Sequence, residues 1–178
     1  MRRKITSTIA LVIYYGFARY LPESHKAFLG KFGGWLRRLC AKKIFKYCAP
    51  DANIEHMAFF GSGENVEIGH CSGIGIHCHV PNDIKIGDNV MMGPKCYFLG
   101  SDTHSFDRID IPMIQQGRKK EGRTIVGDDV WIGREVLVIG GKTIGNHTII
   151  GARSVVSKDI PDYVMAAGNP CQIKKQRR

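Results

Sequence analysis

The sequence has no long apolar run and no closely paired cysteines. Its N-terminal apolar stretch, Ile5–Ala18, has fourteen residues, which are too few to cross a bilayer comfortably. The six cysteines are scattered and include no CxxC pair. This spacing predicts a protein of the reducing cytosol and argues against a disulfide framework.

Acidic residues are scarce. The chain has 16 Asp and Glu against 26 Lys and Arg, giving a formal net charge of +10 over 178 residues. Such an excess favours an anionic partner, which can be nucleic acid, a membrane surface or a phosphorylated ligand. The sequence contains no recognised nucleic-acid-binding module, and its repeats do not interleave aromatic with basic residues. We therefore predict no nucleic-acid partner.

The chain does have a six-residue repeat between residues 68 and 161. With Ser105–Thr124 set aside, every sixth residue is apolar, and glycine follows eight of these twelve positions. The fourth place after each apolar residue is mostly small or β-branched. A hexapeptide repeat is the signature of a parallel β-helix. The apolar positions are Ile68, Ile74, Val80, Ile86, Met92, Phe98, Val126, Ile132, Val138, Ile144, Ile150 and Val156.

We interpret three repeats as one triangular coil, with the apolar residues filling the prism. Glycine is expected at corners, where the backbone needs conformations that a Cβ disfavours. Cys78 and Cys96 share one repeat position and should stack inside. Asp51–Glu67 is predicted as an irregular first coil. For the repeat region as a whole, the alternative to a β-helix is an α/β domain with many glycines. The complete coils are predicted at 68–85, 86–103, 126–143 and 144–161.

The predicted organisation has three parts. Residues 1–50 form an α-helical segment that caps the open end of the β-helix. Residues 51–161 form the β-helix, interrupted by a long loop excursion at 104–125. Residues 162–178 form a C-terminal turn and basic tail.

The N-terminal segment leaves several interpretations open. Ile5–Ala18 suits a helix packed on the β-helix or on a neighbouring subunit, an interfacial membrane helix, or a cleaved signal peptide. Lys26–Lys46 is basic and amphipathic, which suits an anionic membrane surface or a docking helix with a solvated basic face. We predict a cytoplasmic protein, with peripheral contact to the inner face of the membrane through residues 1–46 as one alternative.

His104 is the strongest single candidate for chemistry. It stands where the second complete coil gives way to the excursion, and long non-repetitive insertions in compact domains are usually functional. A neutral imidazole can take a proton from a hydroxyl near pH 7. A surface histidine without a role is the ordinary alternative.

Six motifs occur in order over about two thirds of the chain. They are IGDNVMMGP (86–94), DTHSFDR (102–108), DIPMIQQG (110–117), IVGDDVWIG (125–133), TIGNHTIIGARSVVSKDIP (143–161) and AAGNP (166–170). Together they resemble the hexapeptide-repeat acyltransferases, in the branch of galactoside, maltose and polysaccharide O-acetyltransferases. The resemblance implies a mainly β fold, a left-handed parallel β-helix.

The resemblance also implies an activity. Acetyl would pass directly from acetyl-CoA to a hydroxyl of a saccharide, with His104 as general base and backbone N–H groups stabilising the oxyanion. The implied assembly is a homotrimer with its sites between subunits. Ser105 and Phe106 resemble the polysaccharide-modifying members, which points to the biosynthesis of a cell-surface polysaccharide or its precursor.

Site residues carry over by motif or by position. The implied acetyl-CoA contacts are Gly133, Arg134, Gly151, Ala152, Arg153, Ser157, Lys158 and Lys175. The implied acceptor contacts are Trp131 by motif, with Ser72, Asn82, Met92 and Asp102 by position. No metal is predicted. The chain departs from the family pattern at Arg134, where relatives often carry serine, and at Gln172, where they often carry a basic residue.

Other functions remain open from the residues. The same fold can acetylate an antibiotic, serine or a nucleotide sugar. A β-helical zinc enzyme would need three histidines, and His70, His77 and His79 with Cys71 and Cys78 form a candidate cluster. A non-catalytic trimer is the remaining alternative.

Overall fold

The computed structural model describes residues 5–177. Two helices come first, α1 (Ile5–Gly16) and α2 (Ala27–Ile44), with a 3₁₀ turn at Ala18–Tyr20 between them. Short strands follow: β1 (Tyr47–Cys48), β2 (Asn53–Ile54), β3 (Glu67–Ile68), β4 (Gly73–Ile74), β5 (Lys85–Ile86), β6 (Met91–Met92), β7 (Tyr97–Phe98), β8 (Asp102–His104), β9 (Arg118–Lys120), β10 (Ile125–Val126), β11 (Trp131–Ile132), β12 (Leu137–Val138), β13 (Thr143–Ile144), β14 (Ile149–Ile150), β15 (Val155–Val156), β16 (Val164–Ala167) and β17 (Gln172–Gln176). A second 3₁₀ turn covers Met113–Gln115.

The strands stack in parallel into the three faces of a prism. The first face contains β1, β3, β5, β10 and β13, the second contains β2, β4, β6, β11, β14 and β16, and the third contains β7, β12 and β15. The excursion leaves the register intact, because Ile86 on β5 lies beside Val126 on β10. The predicted parallel β-helix is therefore confirmed.

The predicted apolar positions form the core of the prism. Eleven of the twelve are buried, and Met92 is half-buried on the second face. Cys78 and Cys96 are both buried one above the other, with the Cys96 N–H 3.3 Å from the Cys78 sulfur. Each fully buried Val or Ile contributes about 1.5–3 kcal/mol to the free energy of unfolding, so the repeated apolar position is the main source of stability.

The glycines of the repeat do not occupy left-handed corners, and that expectation was wrong. A Cβ on Gly133 would lie 2.5 Å from the Ala152 nitrogen, and a Cβ on Gly87 would lie 2.8 Å from the Gly127 carbonyl carbon. Glycine is required here because successive coils approach too closely for a side chain. The left-handed non-glycine residues, with φ of 51–60°, are Met57, Cys71, His77, Asn89, Lys95, Asp129, Glu135, His147, Arg153 and Tyr163.

The two helices pack on the first coil. The buried Tyr14 on α1 donates a hydrogen bond of 2.9 Å to the Ala58 carbonyl. Arg37 on α2 is fully buried, and its Nε donates to the Ile54 carbonyl at 2.7 Å while its Nη2 lies 3.7 Å from Glu55. The structure therefore shows α1 packed on the β-helix through its buried face.

Both ends of the β-helix extend beyond the predicted bounds. The first strand begins at Tyr47 and pairs with Glu67, which makes the first coil twenty residues long. At the other end, β16 continues the second face and β17 returns antiparallel beside it. Most of the predicted basic tail is thus an edge strand of the second face.

The excursion is a hairpin and a loop. Strands β8 and β9 pair antiparallel, with His104 opposite Arg118. The hairpin rises from the edge between the third and first faces, where Gly140 of the next coil packs on Gly100. No helix in the described part of the chain is long and apolar enough to cross a membrane.

Candidate active site

Three hollows join end to end along the second face. The cap hollow, of about 530 Å³, lies nearest the helices and is lined by Asn53, Glu55, Ser72 and Met92, with Trp131 at its far end. The central hollow, also about 530 Å³, shares Trp131 and Pro94 with the cap hollow. The tail hollow, of about 640 Å³, shares Ile149 and Met165 with the central hollow. We call the three together the groove, and each has the volume of a small-molecule site.

Strand geometry positions the lining of the groove. Side chains alternate across a strand, so the residue before each buried apolar position points outward. Met91, Trp131, Ile149 and Met165 occupy this place in successive coils and pair directly in the parallel register. They form a column of large apolar side chains along the second face.

Four of the predicted acetyl-CoA contacts line the central hollow. They are Gly133, Arg134, Gly151 and Ala152. The two glycines and the small Ala152 leave the floor of this hollow open at the corner between the second and third faces. Lys175, on β17, lines the tail hollow. The structure therefore brings five of the eight predicted contacts into one continuous groove.

The other three predicted contacts lie outside the groove. The Arg153 Nε lies 2.8 Å from a Glu135 oxygen, and this hydrogen bond lowers the pKa of Glu135. Ser157 and Lys158 follow β15 of the third face, on the edge towards the first face. That edge is separated from the groove by the third face.

The predicted acceptor residues lie in two places, the groove on the second face and the edge between the third and first faces. Ser72 and Met92 line the cap hollow, and Trp131 lines both the cap and central hollows. The Ser72 hydroxyl is committed to the fold, because it donates to the Gly87 carbonyl at 2.6 Å and is buried. Asn82 lies on the edge between the third and first faces.

Asp102 and His104 also lie on that other edge, in β8. Asp102 is paired with Arg118 at 3.0 Å, and His104 is exposed beside them. Because β7, just before the hairpin, belongs to the same coil as β6, His104 leaves the prism at the level of Met91. It lies at the height of the groove but across the prism from it, so a single chain does not bring His104 to the groove.

Charge is distributed unevenly along the groove. At the cap end, burial raises the pKa of Glu55, but hydrogen bonds from the Ser24 N–H and the Asn53 amide, with the charge of Arg37, outweigh it and lower that pKa. Glu55 is therefore ionised at neutral pH. At the tail end, Lys175 and Arg177 line the hollow. The cap end of the groove therefore contains a carboxylate paired with Arg37, and the far end contains two basic side chains.

The histidines of the zinc alternative do not converge. His70 lies 3.1 Å from Asp51, and the His77 ring packs on His56. His79 stacks on the third face between Phe59 and Tyr97, with centroids 4.5 and 4.4 Å away. Within residues 5–177, no three His, Cys, Asp or Glu side chains are grouped to hold a metal ion.

Sequence reasoning missed several residues of the groove, among them Glu55, Met91, Pro94, Ile149 and Met165. A signal existed for Met91, Trp131 and Ile149, since each precedes the apolar position of its repeat and Ile149 follows Trp131 by eighteen residues. Comparing the residues that precede each apolar position, in addition to the apolar positions themselves, would have identified these side chains.

Comparison with known proteins identifies the family. Family models give no match. The galactoside O-acetyltransferase of Escherichia coli K12 is 32% identical over 144 residues, which are 79% of this chain and 68% of that protein. The structure of a galactoside acetyltransferase in complex with coenzyme A superposes with a TM-score of 0.77 and 27% identity, covering 97% of this chain and 81% of that one.

A third similarity agrees with these two. The crystal structure of a maltose O-acetyltransferase from Clostridium difficile 630 gives a TM-score of 0.72 at 26% identity, over 99% of this chain and 86% of that one. The repeat, the prism and these similarities lead to one conclusion. The chain is an acyltransferase with a left-handed parallel β-helix, and it belongs to the galactoside O-acetyltransferase branch of the hexapeptide-repeat acetyltransferases.

Proposed function

We propose that this protein transfers an acetyl group from acetyl-CoA to a hydroxyl of a saccharide. The observation that carries the proposal is the continuous groove, in which the motif residues Gly133, Gly151 and Ala152 lie between Trp131 and Lys175. The names of the relatives, which are galactoside and maltose acetyltransferases, support both the reaction and the class of acceptor.

The donor occupies the central and tail hollows. The slender pantetheine arm fits over Gly133, Gly151 and Ala152, where no side chain obstructs the floor. The phosphates of coenzyme A then reach the tail hollow, where Lys175 forms charge-assisted hydrogen bonds with them. The thioester lies near Trp131, and the cap hollow on its other side receives the acceptor.

A neighbouring subunit supplies the base. In a trimer with parallel axes, the edge between the third and first faces of one subunit can face the second face of the next. His104 then enters the groove close to Trp131, because it leaves the prism at the level of Met91, which is the neighbour of Trp131 in the adjacent coil. Asn82 and Asp102 share this edge and line the same cleft from the neighbour's side.

The reaction is a direct transfer. The neutral imidazole of His104 takes the proton of the acceptor hydroxyl, whose oxygen attacks the thioester carbonyl carbon. Backbone N–H groups at the groove stabilise the resulting oxyanion. The carbon–sulfur bond then breaks, and the departing thiolate takes the proton from the imidazolium. The products are the acetyl ester and free coenzyme A.

We infer a polysaccharide or its precursor as the acceptor. The groove is an open channel on the surface, which accommodates a chain longer than one sugar. Phe106 is exposed in the excursion just after His104, where an aromatic ring can pack on a sugar face. An antibiotic, serine or a nucleotide sugar is the alternative acceptor, and a panel that contains all of these classes decides among them.

The first test measures thiol release from acetyl-CoA with that panel. His104→Ala should lower kcat by about 10²–10⁴-fold, because that is the usual contribution of a general base. His25→Ala is the matched control, since His25 is exposed on the cap and should leave the rate unchanged. Full activity in His104→Ala would remove this residue from its role, and no activity with any acceptor would contradict the proposed reaction.

The second test locates the base in the neighbouring subunit. Ala152→Trp fills the central hollow and should abolish activity in the same way as His104→Ala. Mixed assemblies of the two inactive chains should recover activity, because some clefts combine an intact His104 with an intact Ala152. Failure of mixed assemblies to recover activity would contradict a site between subunits.

A further inference from the structure

The two capping helices expose an unusual amount of apolar side chain. On α1, Ile5 is 79% exposed and Val12 is 68% exposed, and on α2, Phe28 is 81% exposed and Trp35 is 48% exposed. The other large apolar side chains exposed on α1 and α2 or just after α1 are Ile9, Ile13, Phe17, Tyr20, Leu29, Phe32 and Leu39. Contiguous apolar surfaces of this kind mark an interaction site.

These side chains form one surface. Phe28, Phe32, Trp35 and Leu39 follow a helical spacing of three and four residues, so they lie along one stripe of α2. A shallow hollow of about 390 Å³ between the helices is lined by apolar side chains of both, including Ile9 and Ile13 of α1 and Leu39 of α2. The stripes of the two helices therefore meet. We call their exposed apolar residues the cap surface.

The charged side chains of the two capping helices have one sign. Neither α1 nor α2 contains an acidic residue. Lys31, Lys42 and Lys43 are exposed on α2, and Lys43 also lines the hollow between the helices. Aromatic and aliphatic side chains bordered by lysine are typical of helices that lie in the headgroup region of an anionic bilayer.

We propose that the cap surface binds an anionic lipid bilayer, with α1 and α2 lying in the interface and the β-helix projecting away from it. At 12 and 18 residues the helices extend only about 18 and 27 Å, and their buried faces hold the cap on the first coil, so they lie on the membrane and do not cross it. A second copy of this chain is the less suitable occupant, because it would bring the basic residues of two identical surfaces together. The proposal does not depend on the acceptor.

Cosedimentation of the full chain with vesicles tests the partner. The protein should bind vesicles that contain phosphatidylglycerol and bind phosphatidylcholine vesicles at least tenfold more weakly, with binding to the former lost in high salt. Lys31→Gln combined with Lys42→Gln should weaken binding by roughly tenfold or more. Lys119→Gln with Lys120→Gln, on the exposed β9, is the matched control and should have little effect. Equal binding to both vesicles, or none to either, would overturn the proposal.

A second pair of variants tests the apolar component. Phe28→Glu should abolish vesicle binding but keep thiol release in the absence of lipid, which shows that the fold is retained. Ile109→Glu makes the same kind of change at an exposed position in the excursion, and it should still bind. Vesicle binding by Phe28→Glu equal to that of wild type would overturn the proposal.

Tryptophan fluorescence decides between lipid and a second copy. The chain has two tryptophans, so Trp131→Phe leaves Trp35 as the sole reporter. Its emission should shift to the blue only when anionic vesicles are added. A second copy would give a different result: the emission of Trp35 would be blue-shifted without lipid and unchanged by vesicles. Phe28→Glu would then shift the emission to the red and lower the mass of the assembly. That outcome would show that the cap surface contacts a second copy, and the lipid proposal would fail.

Discussion

Trp131 lies directly beside Met91 in the parallel register of the second face, with Ile149 on its other side. Its side chain is 51% exposed and lines both the cap hollow and the central hollow. The indole therefore marks the boundary between the cap hollow and the central hollow. In the proposed reaction this is the point at which donor and acceptor meet.

Trp131→Ala should weaken the binding of coenzyme A and raise the KM for the acceptor. Removing an aromatic side chain at the centre of a binding site commonly costs more than 1 kcal/mol, so we expect a loss of about tenfold in each. Calorimetric titration with coenzyme A and steady-state kinetics measure the two effects. Trp35→Ala, on the cap surface, is the control and should change neither. An unchanged Kd and KM in Trp131→Ala would contradict this position of the site.

Gly133→Ala should destabilise the β-helix. The added Cβ would lie 2.5 Å from the Ala152 nitrogen, so the two coils must separate locally, at a cost of about 1–3 kcal/mol. Thermal unfolding should show a lower Tm. Gly73→Ala is the matched glycine, since its Cβ would meet nothing nearer than 3.5 Å. Equal Tm values for the two variants would show that close stacking does not explain the repeated glycine.

Arg37→Met should loosen the helical cap. The fully buried guanidinium donates to the carbonyls of Ile54 and Leu21 and pairs with Glu55, so its loss removes a donor from the buried Ile54 carbonyl and the charge partner from Glu55. Breaking a buried pair in this way costs about 3–5 kcal/mol. Chemical denaturation should show the change.

Arg38→Met is the control for this prediction. Arg38 is the next residue on α2 and is only partly buried, so the same substitution should cost far less. Equal losses would show that the partners of Arg37 contribute little.

Glu55 should make stability depend on pH in the acid range. Its folded-state pKa lies below its usual value, because the hydrogen bonds from Ser24 and Asn53 and the charge of Arg37 outweigh the effect of burial. A carboxyl with a depressed folded-state pKa stabilises the fold fully above its unfolded value of about 4.3, and that contribution is lost as the pH falls through the folded-state pKa. Glu55→Gln should flatten the fall in stability below about pH 4.3.

Denaturation curves at several pH values measure this effect. Glu64→Gln, at an exposed position in the same coil, provides the comparison. If the free energy of unfolding fell equally at low pH in Glu55→Gln and wild type, Glu55 would not be the group responsible.

The architecture followed from local pattern. A side chain that recurs every sixth residue must meet the same environment in every coil, which is why positions such as Ile68 and Val156 were predictable as core. His104 was predictable as a candidate because the interruption of a regular pattern is visible in the chain. The glycine role was misassigned, because periodicity locates Gly133 in the repeat without showing that the next coil passes within contact distance of it.

The repeat in the sequence was sufficient to determine the prism, its core and the place where the chain departs from it, since each depends on neighbours that are close along the chain. Tertiary structure alone decided which outward residues meet. Trp131, Met165 and Lys175 form one groove only because separate coils stack in register, and His104 is remote from that groove because the hairpin leaves the prism at a different edge. Such relations depend on where each residue lies around the axis of the prism, which the sequence pattern does not specify.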